Sequence, residues 1–312
     1  MSTINNRNKP KLAFIFASER ALWEWCTWND GLYAAIVKLS DKFHIRVFGY
    51  CKDSALLESS NFDIQLVDNI SSLQYWLRSF GTKLVYAVGP STHPWAEMSR
   101  VETTNYLIHE GDKYSKKATS IFKGFVVKSI SEAQHFPNSI VAFGTNTELF
   151  KDLSLNRIFP SFYPYTTAEQ SNIQLWTNSL PAGSIASGEH TDDIETKVVI
   201  SGHLLLPNIK PKPLSHLYNQ AAGVCLTSSD SDITIARSLE AMACNAPVLV
   251  TQNSRATELD GVWSCPPESK QVKEAYFSMI MSYANSDVNL REEYVMGKYD
   301  EYTYAKALEE LL

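Results

Sequence analysis

The sequence predicts an α/β protein of two domains, each built on a parallel sheet that helices cover. In the first half of the chain, short apolar runs alternate with amphipathic helical patterns, an order typical of parallel sheets. In the second half, residues 223–251 read as a buried strand, a polar loop, a helix and another buried strand. A chain of 312 residues also exceeds the length at which one core usually stops growing, so two domains are expected.

The first half begins with a buried strand over Leu12–Ala17, followed by an aromatic-rich loop. Asn29, Asp30 and Gly31 then open an amphipathic helix that extends to Lys42. The next predicted elements are, in chain order, the strand His44–Tyr50, the strand Phe62–Val67, the helix Ser71–Phe80 and the strands Leu84–Val88 and Asn105–Ile108. His109 follows the last strand directly, at a position where parallel sheets gather ligands.

The second half centres on one strand-loop-helix-strand unit. Gly223–Leu226 are apolar and Thr227–Asp232 are small and polar, so the chain is expected to leave a buried strand and cross the carboxyl edge of a sheet. Helical spacing of apolar residues then continues until Asn245, and Val248–Thr251 reads as a buried strand. Such a unit implies a right-handed crossover in a parallel sheet, where ligands meet strand carboxyl ends and helix N-termini.

This unit resembles the donor-binding motif of the retaining glycosyltransferases of family 4. Their pattern is E-x7-E followed by A-M-A-x-G-x-P-V, and this chain has Asp232, Glu240 and then AMACNAPV at 241–248. The first acid is Asp rather than Glu, and we assign the glycine that usually precedes the proline to Ala246. The two glycines that follow the first acid are replaced by Ile233 and Ile235. The resemblance implies the GT-B fold, in which two Rossmann-like domains face each other across a cleft.

The resemblance also implies roles for these residues. The first acid, Asp232, binds hydroxyls of the donor sugar, and Glu240 binds the nucleotide ribose. Backbone amides of Ile233, Thr234 and Ile235 face the diphosphate. This division suits the chemistry, because a carboxylate accepts hydroxyl protons and amides at a helix start favour an anion. A nucleoside-diphosphate sugar, with a UDP-sugar favoured, is the implied co-substrate, and no metal or other cofactor is expected.

Further candidate residues come from the same resemblance. His109 reaches the donor sugar as a third catalytic residue, and Asn29, Asp30 and Gly31 lie near the donor phosphate. The strands 184–190 and 198–203 each end near a glycine, so the nucleobase contacts are expected just after Gly202, at His203. Residues 157–164 are expected to form the first strand of the second domain, but the Arg/Lys pair that usually binds the diphosphate there is not evident. His190, His203 and Lys210 are candidate substitutes.

Several readings stay open. Strand-loop-helix units occur in any parallel α/β protein, carboxylates near helix starts are often caps, and a lone histidine is usually structural. Asp230-Ser231-Asp232 also matches D-x-D, a motif that holds a diphosphate through a metal ion. Trp28 and His93 are candidates on the acceptor side, although the tryptophans at 23, 25 and 28 can equally pack as core.

Composition bounds the class of function. The formal net charge is −6, which excludes a global basic field that collects nucleic acid. Lys113–Lys128 is nevertheless locally basic, so an anionic acceptor such as hydroxymethylated DNA remains an alternative. The five cysteines are widely spaced and odd in number, which favours reduced thiols. No apolar run approaches the ~20 residues of a membrane span.

The sequence therefore predicts a cytoplasmic, retaining, nucleoside-diphosphate-sugar-dependent glycosyltransferase. Residues 1–152 are expected to form the acceptor-side domain, to which a C-terminal helix at 299–312 returns. Residues 153–298 are expected to form the donor-binding domain. The alternatives are the same chemistry on hydroxymethylated DNA, or a degenerate, non-catalytic binding protein, which the lost glycines and the missing basic pair favour.

Overall fold

The computed structural model describes residues 9–16, 18, 21–22, 25–26, 31–49, 62–89, 92, 94, 96, 103–109, 118–164, 173–188, 198, 201–207, 209–227 and 232–312. Two compact units make up the chain. Unit 1 consists of Met1–Phe143 together with Glu301–Leu312, and unit 2 consists of Gly144–Asp300. The expected boundary after residue 152 thus lies inside unit 2, while the last helix belongs to unit 1.

The described strands form two sheets in which every pairing is parallel. The sheet of unit 1 has seven strands in the order β3-β2-β1-β4-β5-β6-β7, and that of unit 2 has six in the order β10-β9-β8-β11-β12-β13. The bounds are β1 Lys11–Phe16, β2 His44–Gly49, β3 Ile64–Leu66, β4 Leu84–Val88, β5 Thr104–Ile108, β6 Gly124–Val127, β7 Ser139–Val141, β8 Phe162–Pro164, β9 Ile185–Ser187, β10 Leu204–Leu206, β11 Val224–Leu226, β12 Val248–Thr251 and β13 Trp263–Cys265.

Helices connect these strands. Their bounds are α1 Gly31–Leu39, α2 Ile70–Phe80, α3 Ala118–Ile121, α4 Ile130–Ala133, α5 Ile173–Ser179, α6 Pro211–Gln220, α7 Asp232–Ala243, α8 Ser269–Ala284 and α9 Glu301–Leu311. A 3-10 turn at Arg255–Glu258 and a π-helical turn at Arg291–Val295 add to unit 2. No helix within the described ranges is long and apolar enough to cross a membrane.

The central strands of the unit 1 sheet, β1, β4, β5 and β6, are buried on both faces, which explains why they read as mostly apolar runs. In β1, Leu12, Phe14 and Phe16 pack with α1 and α9, whereas Ala13 and Ile15 pack with α2. The prediction of a strand over Leu84–Val88 is confirmed. The other strands predicted in this half agree with the observed bounds to within two residues at either end.

The last helix, α9, closes the core of unit 1. Tyr304, Ala305 and Leu308 are buried in the cluster that also holds the apolar face of α1. The Tyr86 hydroxyl donates a hydrogen bond to the Leu308 carbonyl. Because both groups are buried, this bond satisfies a polar atom that the last helical turn leaves without an intrahelical partner.

The prediction of a strand at 198–203 is wrong. Val198 is helical, residues 201–202 form a turn, and the strand β10 begins only at Leu204. Gly202 has a φ of 75°, in the left-handed region, so this glycine makes the turn that precedes the strand rather than ending one. Apolar residues stand both before and after this glycine, so the sequence pattern on either side of it resembles a strand.

The end of α7 corrects the assignment of the missing glycine. Asn245, not Ala246, adopts the left-handed conformation, with a φ of 58°. It stands at the position of the glycine in the pattern A-M-A-x-G-x-P-V, where asparagine is the usual substitute. Its side-chain oxygen accepts hydrogen bonds from the Tyr283 hydroxyl, at 2.8 Å, and from the Leu290 amide, at 2.9 Å. These bonds explain how the chain dispenses with glycine here.

Candidate functional site

The candidate donor site of unit 2 lies where its parallel strands end. The helix α7 begins at Asp232, shortly after the end of β11, so its N-terminus stands at the carboxyl edge of the sheet. The backbone of Asp232 is described, whereas its side chain lies outside the described atoms. The first N–H groups of a helix have no acceptor within it, and here they include those of Asp232, Ile233 and Thr234. The side chains of Thr234 and Ile235 are buried, so only their backbone is suited to meet a ligand.

Glu240 does not share this edge with Asp232. At a rise of 1.5 Å per residue, the two acids are separated by about 12 Å along the helix axis. Glu240 stands in the second half of α7 and is only 8% exposed. The spacing of the two acids therefore places them about two turns apart on one helix rather than side by side.

Two donors from the protein already hold the Glu240 carboxylate. Its Oε2 accepts hydrogen bonds from the Tyr218 hydroxyl, at 2.9 Å, and from Arg237 Nη1, at 2.8 Å. Burial, reinforced by the charge of Glu240, raises the pKa of Tyr218 well above its ordinary value, so this hydroxyl remains a donor. A carboxylate at this depth needs such partners, because desolvation of an unpaired charge is costly.

The residues expected to meet the nucleobase lie elsewhere. Gly202 and His203 precede β10 and thus stand at the amino edge of the sheet, opposite the start of α7. The His203 ring is buried 4.7 Å from the ring of Trp176, and its Nε2 is 3.1 Å from the Thr177 carbonyl oxygen. This environment is that of a core histidine. The expectation of a donor contact here depended on the misplaced strand.

An open pocket of about 460 Å³ lies instead at the carboxyl end of β10. It is lined by apolar side chains with a lysine and a histidine at their side, namely Leu206, Ile209, Lys212, Pro213, His216 and Leu217. Lys210 is exposed beside it, at the N-cap of α6. This surface is apolar and stands next to the lysine side chains at 210 and 212.

Arg157 was overlooked in the segment where a basic residue is expected. Its guanidinium donates to the carbonyls of Tyr218, Asn245 and, at 3.3 Å, Cys244. Burial lowers the pKa of Arg157 from its ordinary value. Arg157, which precedes β8 in the chain, thus holds the ends of α6 and α7 together. Residues 165–172, which follow β8, lie outside the described residues.

In unit 1, His109 is the first residue after β5, and its backbone amide donates to the Val126 carbonyl at 2.8 Å. Its ring is buried, with its centroid 4.8 Å from that of Phe136. Nδ1 lies 3.3 Å from Oε1 of Glu132, which is also buried. Sequence reasoning missed Glu132. The signal was the pattern S-x-x-E at Ser129–Glu132, which marks the start of a helix.

The remaining candidates divide between described and undescribed residues. Gly31 is buried and begins α1, whereas Asn29, Asp30, Trp28, His93 and His190 lie outside the described residues. Trp25 is core, packed against Phe16, Tyr33 and Phe62. Of the basic cluster, Lys123 and Lys128 are described and the lysines at 113, 116 and 117 are not.

The D-x-D alternative also involves an undescribed residue, Asp230. Within the part of the chain that the structure describes, no three His, Cys, Asp or Glu side chains are grouped closely enough to hold a metal ion. The metal alternative therefore remains open to a chelation experiment.

Comparison of the structure with known proteins gives matches over almost the whole chain. Sucrose-phosphate synthase from Thermosynechococcus elongatus has a TM-score of 0.70 at 13% identity, with 97% of this chain and 98% of that chain covered. HepE from Anabaena, in complex with UDP and glucose, has a TM-score of 0.72 at 15% identity, with 96% and 98% covered. A Listeria monocytogenes protein assigned as a UDP-N-acetylglucosamine 2-epimerase has a TM-score of 0.64 at 11% identity, with 96% and 95% covered.

Sequence comparison adds no relative, since neither a protein-family model nor a curated protein matches this chain significantly. Identities of this size establish the fold alone, and the epimerase likeness illustrates that one fold carries more than one chemistry. The chain has an α/β fold of two parallel sheets, the architecture of GT-B glycosyltransferase structures.

Proposed function

We propose that this protein is a glycosyltransferase that transfers a sugar from a nucleoside-diphosphate sugar to an acceptor hydroxyl with retention of configuration. The observation that carries the proposal is the position of α7, whose first residue, Asp232, opens the helix at the carboxyl edge of the sheet. The acid pattern and the AMACNAPV run belong to this same helix and its exit, in a chain with the GT-B fold.

Unit 2 offers complementary groups for each part of a donor such as UDP-glucose. The apolar pocket beside Leu206 and Ile209 suits the flat nucleobase, and Lys210 at its rim suits a phosphate. The amides that begin α7 suit the diphosphate, because the helix N-terminus favours an anion. Asp232 then binds sugar hydroxyls, and Glu240 accepts a ribose hydroxyl while its Oε2 stays with Tyr218 and Arg237.

The chemical step in this proposal breaks the bond between the anomeric carbon and the diphosphate oxygen. A new bond forms between that carbon and the acceptor oxygen, and the acceptor proton leaves on the departing diphosphate. The protein contributes positioning and stabilises the charge that develops on the leaving group. His109 accepts a hydrogen bond from a sugar hydroxyl and orients the sugar without itself removing the proton.

The geometry of Glu240 favours a second candidate, a glycosyltransferase-like protein that binds a ligand but does not turn it over. The carboxylate proposed to meet ribose is already held by Tyr218 and Arg237. A carboxylate whose hydrogen bonds are made within the fold can serve stability alone, without contacting a ligand.

A panel of nucleotide sugars with mixed acceptors, read by mass spectrometry, tests the proposal. Transfer to a hydroxyl, with the anomer assigned by NMR, is the expected result. Nucleotide binding without transfer or hydrolysis supports the binding protein, and inversion at the anomeric carbon contradicts the retaining mechanism. Hydroxymethylated DNA belongs among the acceptors because of the basic run at 113–128, and its binding should weaken steeply as salt rises.

A further inference from the structure

The pair His109 and Glu132 is unusual because two titratable side chains face each other almost without solvent. The residues are 4% and 6% exposed, respectively. Nδ1 of the imidazole and Oε1 of the carboxylate are 3.3 Å apart, which is ion-pair distance. The two atoms are not aligned as a linear hydrogen bond, yet Nδ1 has no hydrogen-bond partner in the described part of the chain. Glu132 is therefore the group that the ring nitrogen faces.

The carboxylate is fixed in place from its other side. Its Oε2 accepts a hydrogen bond from the Lys128 amide at 2.9 Å, and the Ser129 hydroxyl accepts one from the Glu132 amide at 3.2 Å. These bonds form the capped start of α4, so the side chain spans from the helix start to the imidazole. Phe136 contacts the ring of His109 as well. Neither partner can rotate away without breaking a buried contact.

This arrangement selects one form of the imidazole. A buried carboxylate oxygen is stabilised by a donor and repelled by a lone pair. The neutral ring therefore carries its proton on Nδ1, toward Glu132, and Nε2 is left as a hydrogen-bond acceptor. A carboxylate that orients a histidine in this way sets what the distal nitrogen can do.

We propose that Glu132 is a positioning residue, which holds the proton of His109 on Nδ1 so that Nε2 accepts a hydrogen bond from a substrate hydroxyl. The identity of that hydroxyl as one of a sugar rests on the proposed function. The state of the ring does not, because it follows from contacts within unit 1 alone.

The variant Glu132→Gln reverses the polarity of the pair at nearly constant shape. The Gln carbonyl oxygen takes over the bond from the Lys128 amide, which turns the amide nitrogen toward Nδ1. Nδ1 then becomes the acceptor, and the ring proton moves to Nε2. Ring-nitrogen NMR of protein labelled with 15N-histidine, recorded with the neutral ring, reads the tautomer directly. The signals of His109 are assigned by their loss in His109→Gln.

Ser129→Ala provides the matched control. It removes the hydroxyl cap of α4 but leaves the carboxylate of Glu132, so it lowers the melting temperature without changing the tautomer. In the transfer assay, Glu132→Gln should lower kcat by roughly ten- to a hundred-fold, as expected when a reacting group is slightly misplaced. The KM for the donor and the affinity for UDP should stay near the wild-type values. Ser129→Ala should retain the wild-type kcat.

A wild-type ring with its proton on Nε2 overturns the proposal, whatever the variant does. An unchanged tautomer in folded Glu132→Gln also overturns it. A changed tautomer with wild-type kcat removes the positioning role. If the wild-type protein transfers no sugar at all, the proposed function fails, and the tautomer in wild type and variant still decides whether Glu132 sets the ring.

Discussion

Arg237 and Glu240 form an ion pair within α7, with Nη1 2.8 Å from Oε2. Both side chains are mostly buried, so water screens this pair less than it screens exposed pairs. The Tyr218 hydroxyl donates to the same oxygen. One acid thus serves the packing of α6 on α7 and, in the proposed function, the nucleotide ribose. Substitutions of Glu240 must be judged on stability and on binding together.

Glu240→Gln is expected to weaken donor binding by roughly ten- to a hundred-fold, because the ribose loses a charge-assisted contact of about 1.5–3 kcal/mol. The variant should still fold but melt at a lower temperature, since the amide replaces the charge that pairs with Arg237. Calorimetric titration with UDP and a thermal melt measure the two effects.

Tyr218→Phe is the matched control for Glu240→Gln. It removes one donor to Oε2 and leaves the charge, so it should lower stability by about 1 kcal/mol. UDP affinity should remain within a few-fold of wild type. If folded Glu240→Gln binds UDP as tightly as the wild-type protein, the carboxylate has no role toward the ribose.

Asp232→Asn is expected to reduce discrimination among donor sugars more than affinity for UDP. Asp232 is the first residue of α7, and its side chain is assigned to sugar hydroxyls. A carboxylate only accepts hydrogen bonds from such hydroxyls, whereas an amide both donates and accepts. Competition titrations with UDP and several UDP-sugars measure both quantities. Equal losses for UDP and for UDP-sugars would contradict the assignment.

The sequence predicts the parallel sheet of unit 1 well because its central strands are buried on both faces. Leu84–Val88 shows this, since apolar side chains occupy every position and a turn signal follows at Gly89. The strand at 198–203 failed because the apolar run continues to Leu206 and its glycine was read as an end. Local pattern cannot tell whether a glycine precedes or follows a strand in such a run.

Of the candidate site, the sequence could predict only the features that are local in it. The position of His109 directly after a strand was predicted and is confirmed, and Ser129–Glu132 carries a recognisable capping pattern. Their contact depends on β5 and β6 being neighbours in the sheet, which no local pattern states. The hydrogen bond from Tyr218 to Glu240 could not be predicted for the same reason, because it forms only when α6 packs against α7.

The left-handed residue after α7 provides a test of stability. Asn245→Ala should lower the free energy of unfolding by roughly 2–4 kcal/mol, because it combines left-handed strain with the loss of the bonds to Tyr283 and to the Leu290 amide. Ala246→Gly should cost only about 1 kcal/mol, since Ala246 has no left-handed backbone to relieve. Denaturant unfolding of both variants measures this. A larger loss in Ala246→Gly would reverse the assignment of the glycine position.

The pocket at the carboxyl end of β10 provides a test of the nucleobase site. Ile209→Trp places a large ring in the pocket of about 460 Å³ and should weaken uridine and UDP alike, by roughly ten-fold or more. Leu204→Trp is the control, because Leu204 is exposed at the opposite end of the same strand. Titration with uridine separates the base from the phosphates. Unchanged uridine affinity in Ile209→Trp would move the base elsewhere.

The variant His109→Asn distinguishes a role of His109 in the reaction from a role in the stability of the fold. Alanine at this position removes the contact between the ring and Oε1 of Glu132 and opens a cavity beside Phe136. A lower melting temperature is therefore expected whatever the role of the ring. The Asn amide nitrogen can take the place of Nδ1 and donate to Glu132, while nothing takes the place of Nε2. Turnover should therefore fall by roughly ten- to a thousand-fold in both variants, with UDP affinity nearly intact, as expected when only the sugar is misplaced. Stability should fall strongly in the Ala variant alone.

Steady-state kinetics, UDP titration and thermal melts of the two variants measure these effects. Wild-type turnover in His109→Asn would show that Nε2 has no role in the reaction.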